Sequence, residues 1–193
     1  LQLHGRAGAD GAVQLGSTGG TVAAHVLADG RVSVDLGVPE FAPDALPFLA
    51  PAAAASYSLA IPGGQVEFGA VAIGNPHAVL RVAAVESAQV EPIGRALQAH
   101  ASFPRQVNVG FMEIVDAGHI RLRVYERGAG ETRACGTGAC AAVAVGRNQG
   151  LLGAAVEVHV PGGRLGVHWQ GPGEHVWLTG PAEVVFTGQA ELT

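Results

Sequence analysis

The chain has 193 residues, a net charge of −5, 48% hydrophobic residues and few aromatics, with 29 glycines. That is enough apolar material for one large or two small domains, and the negative balance leaves no basic surface for nucleic acid. All 11 basic residues are Arg, which excludes a pyridoxal-phosphate enzyme needing a Schiff-base Lys within this chain; no apolar run reaches the ~20 residues of a membrane span.

Residues 1–20 are Gly-rich and weakly patterned. Thr21–Leu27 and Arg31–Leu36 alternate in polarity around Asp29-Gly30, which predicts a hairpin. The Pro- and Ala-rich stretch Pro39–Ala55 reads as a connector. Ser56–Ile61 and Gln65–Ile73 form a second expected hairpin about Pro62-Gly63-Gly64; Gly74-Asn75-Pro76-His77 then interrupts before a strand at Ala78–Val82. Val90–His100 carries apolar residues at helical spacing, with Pro92 in a first-turn position. Gln106–Ile114 and His119–Val124 flank Asp116-Ala117-Gly118 as a third pair of strands. Val156–Val160, Arg164–Trp169, His175–Thr179 and Glu183–Phe186 are the remaining expected strands.

Between them lies Tyr125–Leu152, which holds both cysteines. A polar segment runs into Cys135-Gly136-Thr137-Gly138, and Ala139–Val145 follows without a charge. This predicts a thiol delivered to the N-terminus of a helix buried on every side. Thr137 is the expected N-cap. Bare backbone at Gly136 and Gly138 lets an anion approach the free N–H groups. A thiol there is expected to have its thiolate favoured, making Cys135 a candidate base or nucleophile. Cys140, about 140° further round the helix, should point into packing. Two close cysteines suggest a reducing compartment.

Gly136-x-Gly138-x-x-Ala141 also fits a dinucleotide fingerprint, with Glu157 downstream. That pattern needs a strand running straight into the turn, but the strand ending at Tyr125 stops ten residues before Cys135, and no βαβ rhythm is apparent. Asn75 offers a donor and an acceptor, His77 a means of tuning a nearby thiol, and Asn108 an amide in an apolar strand that needs a partner if buried. Glu126-Arg127 is a charged pair suited to an ammonium and a carboxylate. The eight His residues are dispersed, with no metal-ligand spacing.

Three segments together resemble the diaminopimelate epimerase family: Gly74-Asn75-Pro76-His77, Arg105-Gln106-Val107-Asn108-Val109-Gly110-Phe111-Met112, and above all Tyr125 to Cys140. Leu152 to Gly163 and Leu178 to Ala182 follow the family too, and the likeness runs from about Gly16. The resemblance implies an α+β lobe of antiparallel strands wrapped around a central apolar helix, paired in the family with a second similar lobe. It also implies a cofactor-independent epimerase that interconverts LL- and meso-diaminopimelate in lysine and cell-wall precursor synthesis, as a cytoplasmic homodimer. Cys135 would be one of two acid/base cysteines. Asn75, Asn108, Glu126, Arg127, Gly136 and Thr137 would bind substrate, and His77 would lie near the opposite thiol. The family's other cysteine belongs to a Cys-Gly-Asn-Gly motif that these 193 residues lack, and the chain opens without Met. The expectation is therefore a piece of a longer protein: 1–38 left from the N-terminal lobe, 39–180 the C-terminal lobe, 181–193 a tail returning to the first lobe. Such a piece would be inactive alone and would expose strand edges. Two other readings stay open at this stage, another two-cysteine racemase of this fold and a non-catalytic binding module.

Overall fold

The computed structural model describes residues 8, 11–17 and 20–189. Within them run β1 (Ala12–Ser17), β2 (Gly20–Val26), β3 (Val32–Asp35), β4 (Tyr57–Ile61), β5 (Gly64–Ala72), β6 (Pro76–Arg81), α1 (Val90–Gln98), β7 (Asn108–Asp116), β8 (His119–Glu126), β9 (Gly130–Thr132), α2 (Gly136–Asn148), β10 (Ala155–Val160), β11 (Gly163–His168) and β12 (Trp177–Gly180). The strands form one sheet in the order β1-β2-β3-β12-β11-β10-β8-β7-β6-β5-β4, with β9 paired to β8. The sheet wraps α2, which packs against β5, β6, β7, β8, β11 and β12.

Most neighbours are antiparallel hairpins, as the turn signals predict. Two pairs are parallel, β6 with β7 and β8 with β10. A parallel pair needs a crossover, and the two helices supply them: α1 joins β6 to β7, and α2 joins the β8–β9 segment to β10. The absence of a βαβ rhythm expected from the sequence is thus corrected. Strand and helix there are separated by β9 and the polar turn, which hides the unit from pattern reading. Glu157 nevertheless pairs with His159 and Arg164, as a surface residue of β10 does.

The central strands are buried on both faces, so they read as apolar runs rather than alternation. On β5, Val71 belongs to the core around α2, whereas Phe68, Ala70 and Ala72 belong to the core beneath α1. On β6, Val79 faces one core and Ala78 and Leu80 the other; on β7, Met112 and Phe111 divide in the same way. Trp169 and Val176, at the two ends of the β11–β12 connection, complete the α2 core.

The expected connector Pro39–Ala55 does more than connect. A 3₁₀ turn at Pro43–Ala45 leads Leu46 and Phe48 into the α1 core, where Phe48 stacks on Phe103 at 4.7 Å and meets Tyr57 edge-on at 4.8 Å. Pro76 and His77 lie inside β6, not in an interruption before it. The expected strand Glu183–Phe186 has no regular structure, and Val184, Val185 and Phe186 are exposed. The last residues of the expected tail, 190–193, and residues 1–7 fall outside the described residues. Within the expected Gly-rich start, β1 forms a six-residue ladder with β2.

Candidate active site

Four chain segments converge at one end of the sheet around the first turn of α2. Parallel pairing sets His77 of β6 beside Asn108 of β7. Antiparallel pairing of β7 with β8 sets Val109 beside Tyr125, which brings Glu126 and Arg127 to the same end. The turn after β9 then carries Cys135 to the start of α2. Every candidate residue marked in the sequence (Asn75, His77, Asn108, Glu126, Arg127, Cys135, Gly136, Thr137) belongs to these segments.

Asn108 and His77 are the buried polar residues of the described core. Asn108 spends both ends of its amide on backbone. Nδ2 donates to the Pro76 carbonyl at 3.2 Å, and Oδ1 accepts the Arg127 N–H at 2.9 Å. It thereby ties the start of β6 to the end of β8. The Arg127 guanidinium reaches the Arg105 carbonyl at 3.0 Å. His77 Nε2 lies 3.0 Å from Asn75 Oδ1 and 3.2 Å from Thr137 Oγ1. Burial pushes the ring's pKa down to about 3, with the Arg127 charge adding to it, so His77 is neutral in the folded protein.

Thr137 is not the cap of α2. The N-cap is Cys135 itself, in extended conformation (φ −136°, ψ 109°), without a side-chain capping bond. The Thr137 hydroxyl is drawn instead to His77, and it also stands 3.7 Å from Cys135 Sγ. Gly136 leaves room for the lid over this turn: a Cβ there would come within 2.7 Å of Leu178 Cδ2 from β12.

The expectation of a favoured thiolate is also corrected. The thiol of Cys135 is pushed up from an ordinary 9.0 to about 11. Burial is the main cause, and the Glu126 carboxylate accepting the thiol proton is the next; the Thr137 hydroxyl and the Gly138 N–H pull the other way without overcoming them. Helix position alone gave the wrong sign because the sulfur is covered, with 6% of the residue exposed. Cys140 behaves as expected: it is free, wholly buried in the α2 core, and its thiol is pushed up by burial.

Sequence reading missed Thr132. Its hydroxyl donates to Glu126 Oε1 at 2.5 Å. In sequence it looks like one more polar loop residue; only the β8–β9 pairing puts it beside Glu126. A cavity of about 520 Å³ lined by Glu91, Arg95, Gln98, Tyr125 and Glu131 opens between α1 and the β8–β9 turn. Cys135 does not line it, and it is not the chemical centre.

Comparison with known proteins shows the family. A family profile for diaminopimelate epimerase matches residues 69–185, a span that contains every one of the site residues. The chain belongs to the diaminopimelate epimerase family. A diaminopimelate epimerase of Alkalilimnicola ehrlichii is 60% identical over 164 residues, covering 85% of this chain and 59% of that protein. One from Chromobacterium violaceum is 54% identical over 180 residues, covering 93% of this chain and 65% of the relative. The chain thus spans about three fifths of the length of these relatives. In fold it is similar to the crystal structure of a probable proline racemase from Agrobacterium radiobacter, with a TM-score of 0.67 at 20% identity over 94% of this chain and 61% of that one. A hydroxyproline epimerase from Agrobacterium vitis gives a TM-score of 0.60 at 22% identity, over 88% of this chain and 56% of the other. The mixed α+β architecture around α2 is therefore that of the racemase and epimerase folds.

Proposed function

We propose that the protein containing this chain interconverts LL- and meso-diaminopimelate without a cofactor, and that Cys135 is one of its two acid/base thiols. The observation that carries the reading is the placement of the Cys135 sulfur at the N-terminus of α2, with the Glu126 carboxylate beside it. Glu126 takes the proton of the thiol. The resulting thiolate removes the α-proton of the substrate, and the electron pair of the C–H bond moves into the α-carboxylate. The N–H groups of Gly136 and Thr137, at the positive end of α2, stabilise the charge that develops there. A second thiol returns a proton to the opposite face of the carbon.

The raised pKa of Cys135 suits this task. A thiolate whose conjugate acid titrates near 11 is a stronger base than an ordinary one, and the α-proton of an amino acid is weakly acidic. Asn75, Asn108 and Arg127, gathered at the same end of the sheet, hold the substrate. Asn108 does so with the hydrogen and lone pair left after its two backbone bonds. His77 tunes this end of the site through Thr137.

Cys140 is sealed in the core, so the opposite-face thiol comes from protein outside these 193 residues, and the chain alone does not epimerise. In this reading residues 39–180 are the C-terminal lobe, and 1–38 and 181–193 belong with a second lobe. Exposed apolar residues lie in both outer segments, at Leu15, Val38, Val184, Val185 and Phe186, and also within 39–180, at Leu49 and Val115. The reading also places the protein in the cytoplasm as a homodimer serving lysine and cell-wall precursor synthesis. No helix among the described residues is long and apolar enough to cross a membrane.

The test is interconversion by the longer protein in deuterium oxide, assayed by chiral chromatography and mass spectrometry. Wild type should turn over LL-diaminopimelate with deuterium entering at the α-carbon. Cys135→Ala should lose at least ~10³-fold in kcat, on the scale of removing a general base plus its positioning. Retention of activity within tenfold, or preference for proline, would overturn the proposal.

A further inference from the structure

Thr132 sits on the three-residue strand β9, whose ladder with β8 pairs Glu126 with Gly130, Tyr125 with Glu131 and Val124 with Thr132. Residues two apart on a strand share a face, and diagonal neighbours across a ladder lie within side-chain reach. Val124 belongs to the core around α2, and its methyl lies 3.1 Å from where a Cβ on Gly138 would stand. Glu126 shares the face of Val124, and Thr132 is opposite Val124. Both therefore look toward the first turn of α2, where Cys135 is. On the other face Glu131 is gripped by Arg123 through two bonds of 2.7 and 2.9 Å, which fixes β9 against β8.

We propose that Thr132 is a positioning residue for the Cys135 thiol, acting through Glu126: its hydroxyl holds one carboxylate oxygen and keeps the carboxylate on the face of the ladder that looks toward the first turn of α2. An ionised carboxylate only accepts hydrogen bonds, and the Thr hydroxyl has one hydrogen to give. Once that hydrogen is committed to Oε1 at 2.5 Å, rotation of the Glu126 carboxylate is restrained. Without the hydroxyl, Glu126 is free to turn toward solvent, and the thiol loses the acceptor that holds its proton. This rests on the reading of Cys135 as the proton-transferring thiol. The geometry itself is independent of which amino acid is the substrate.

The experiment measures the rate of Cys135 carbamidomethylation by iodoacetamide against pH, on the longer protein, with mass-spectrometric quantitation of the Cys135 peptide. Thr132→Val should move the midpoint down by roughly half a unit or more, because an accepting carboxylate beside a thiol raises its pKa. Thr132→Ser should retain the wild-type midpoint. Glu126→Gln should show the same downward shift, and Thr132→Val combined with Glu126→Gln should shift no further than Glu126→Gln alone, since both changes remove one interaction. An unshifted Thr132→Val profile, a Thr132→Ser profile shifted as far as Thr132→Val, or full additivity in the double variant would each overturn the proposal. In the longer protein, Thr132→Val should lower kcat with little change in KM, and Thr132→Ser should restore it. Because alkylation needs no turnover, a protein inactive on diaminopimelate would defeat the proposed function while leaving this test decisive.

Discussion

The two helices cover opposite faces of the same strands and are made of opposite materials. In α2, every residue from Gly138 to Gly146 is buried, and its first turn carries no acidic residue. In α1, only Val90, Gly94 and Leu97 are buried, and Glu91 and Arg95 pair across one exposed turn. The first is an axle inside a wrapped sheet. The second is a cover held by one stripe. The difference teaches where volume is fixed: around α2 in all directions, around α1 in one.

The hardest test of that contrast is overpacking. Ala142 is fully buried in the α2 core. Ala142→Leu forces three extra carbons into a space bounded on every side, and the expected loss is at least ~3 kcal/mol, at the upper end for overpacked cores. Ala96→Leu on α1, a position that is half-buried, should cost less than ~1 kcal/mol because one side is open. Urea unfolding of both variants checks this. Equal costs would mean that the sheet opens around α2 as readily as α1 lifts from it.

A smaller effect separates the two modes of docking. Gly94 lets α1 approach β8 so closely that a Cβ there would lie 2.5 Å from Tyr125 Cγ and 2.7 Å from its Cβ. These atoms sit at the root of the side chain and cannot swing away. Gly94→Ala should therefore destabilise, even though Ala is the better helix former by about 1 kcal/mol. The net loss expected is ~1–2 kcal/mol, with near-ultraviolet circular dichroism reporting the displaced Tyr125 ring. A stabilised variant would show that α1 floats on its stripe.

The same contrast explains what could be read from the residues alone. Helix α2 was legible because an unbroken apolar run of helical length after a Gly-rich turn has few other uses, and α1 because its spacing and Pro92 agree. The hairpins were legible from their turns. The strand β9 was not: its three residues are polar and take their conformation from β8. Nor were the parallel pairs, since crossover is a property of tertiary connection and leaves no local period. At the site, Cys135, Glu126 and Arg127 stand out in sequence because their contiguous motif is specific. Thr132 and the true role of the Thr137 hydroxyl do not, because each depends on a partner fixed by strand register or, for His77 and Thr137, by contact across 60 positions. The thiol's titration was misjudged for a related reason: helix position is visible in sequence, and depth of burial is not.

The two ends of α2 give the finest distinction. Its shaft is packed by hydrocarbon, but its first turn rests on His77, a buried imidazole held neutral. The ring titrates near 6.5 when unfolded and near 3 when folded, so between these values the unfolded chain binds a proton that the folded chain refuses. Stability from this group is complete above pH 6.5 and is lost as pH falls toward 3, with a slope approaching ~1.4 kcal/mol per pH unit. Asp29, Asp116 and Glu157, whose carboxyls are held low by their own hydrogen bonds, also lose stability in acid. They are common to a His77→Gln variant and cancel in the difference. The difference between wild type and His77→Gln, measured by urea unfolding at closely spaced pH values, should be flat above pH 6.5 and slope only below it. Arg127→Ala should narrow that window from its acid side, because the guanidinium is the second cause of the depressed pKa. Parallel curves for wild type and His77→Gln from pH 6.5 to 3 would mean that the ring accepts its proton inside the fold. The polar footing of α2 would then be as open to water as the exposed flank of α1.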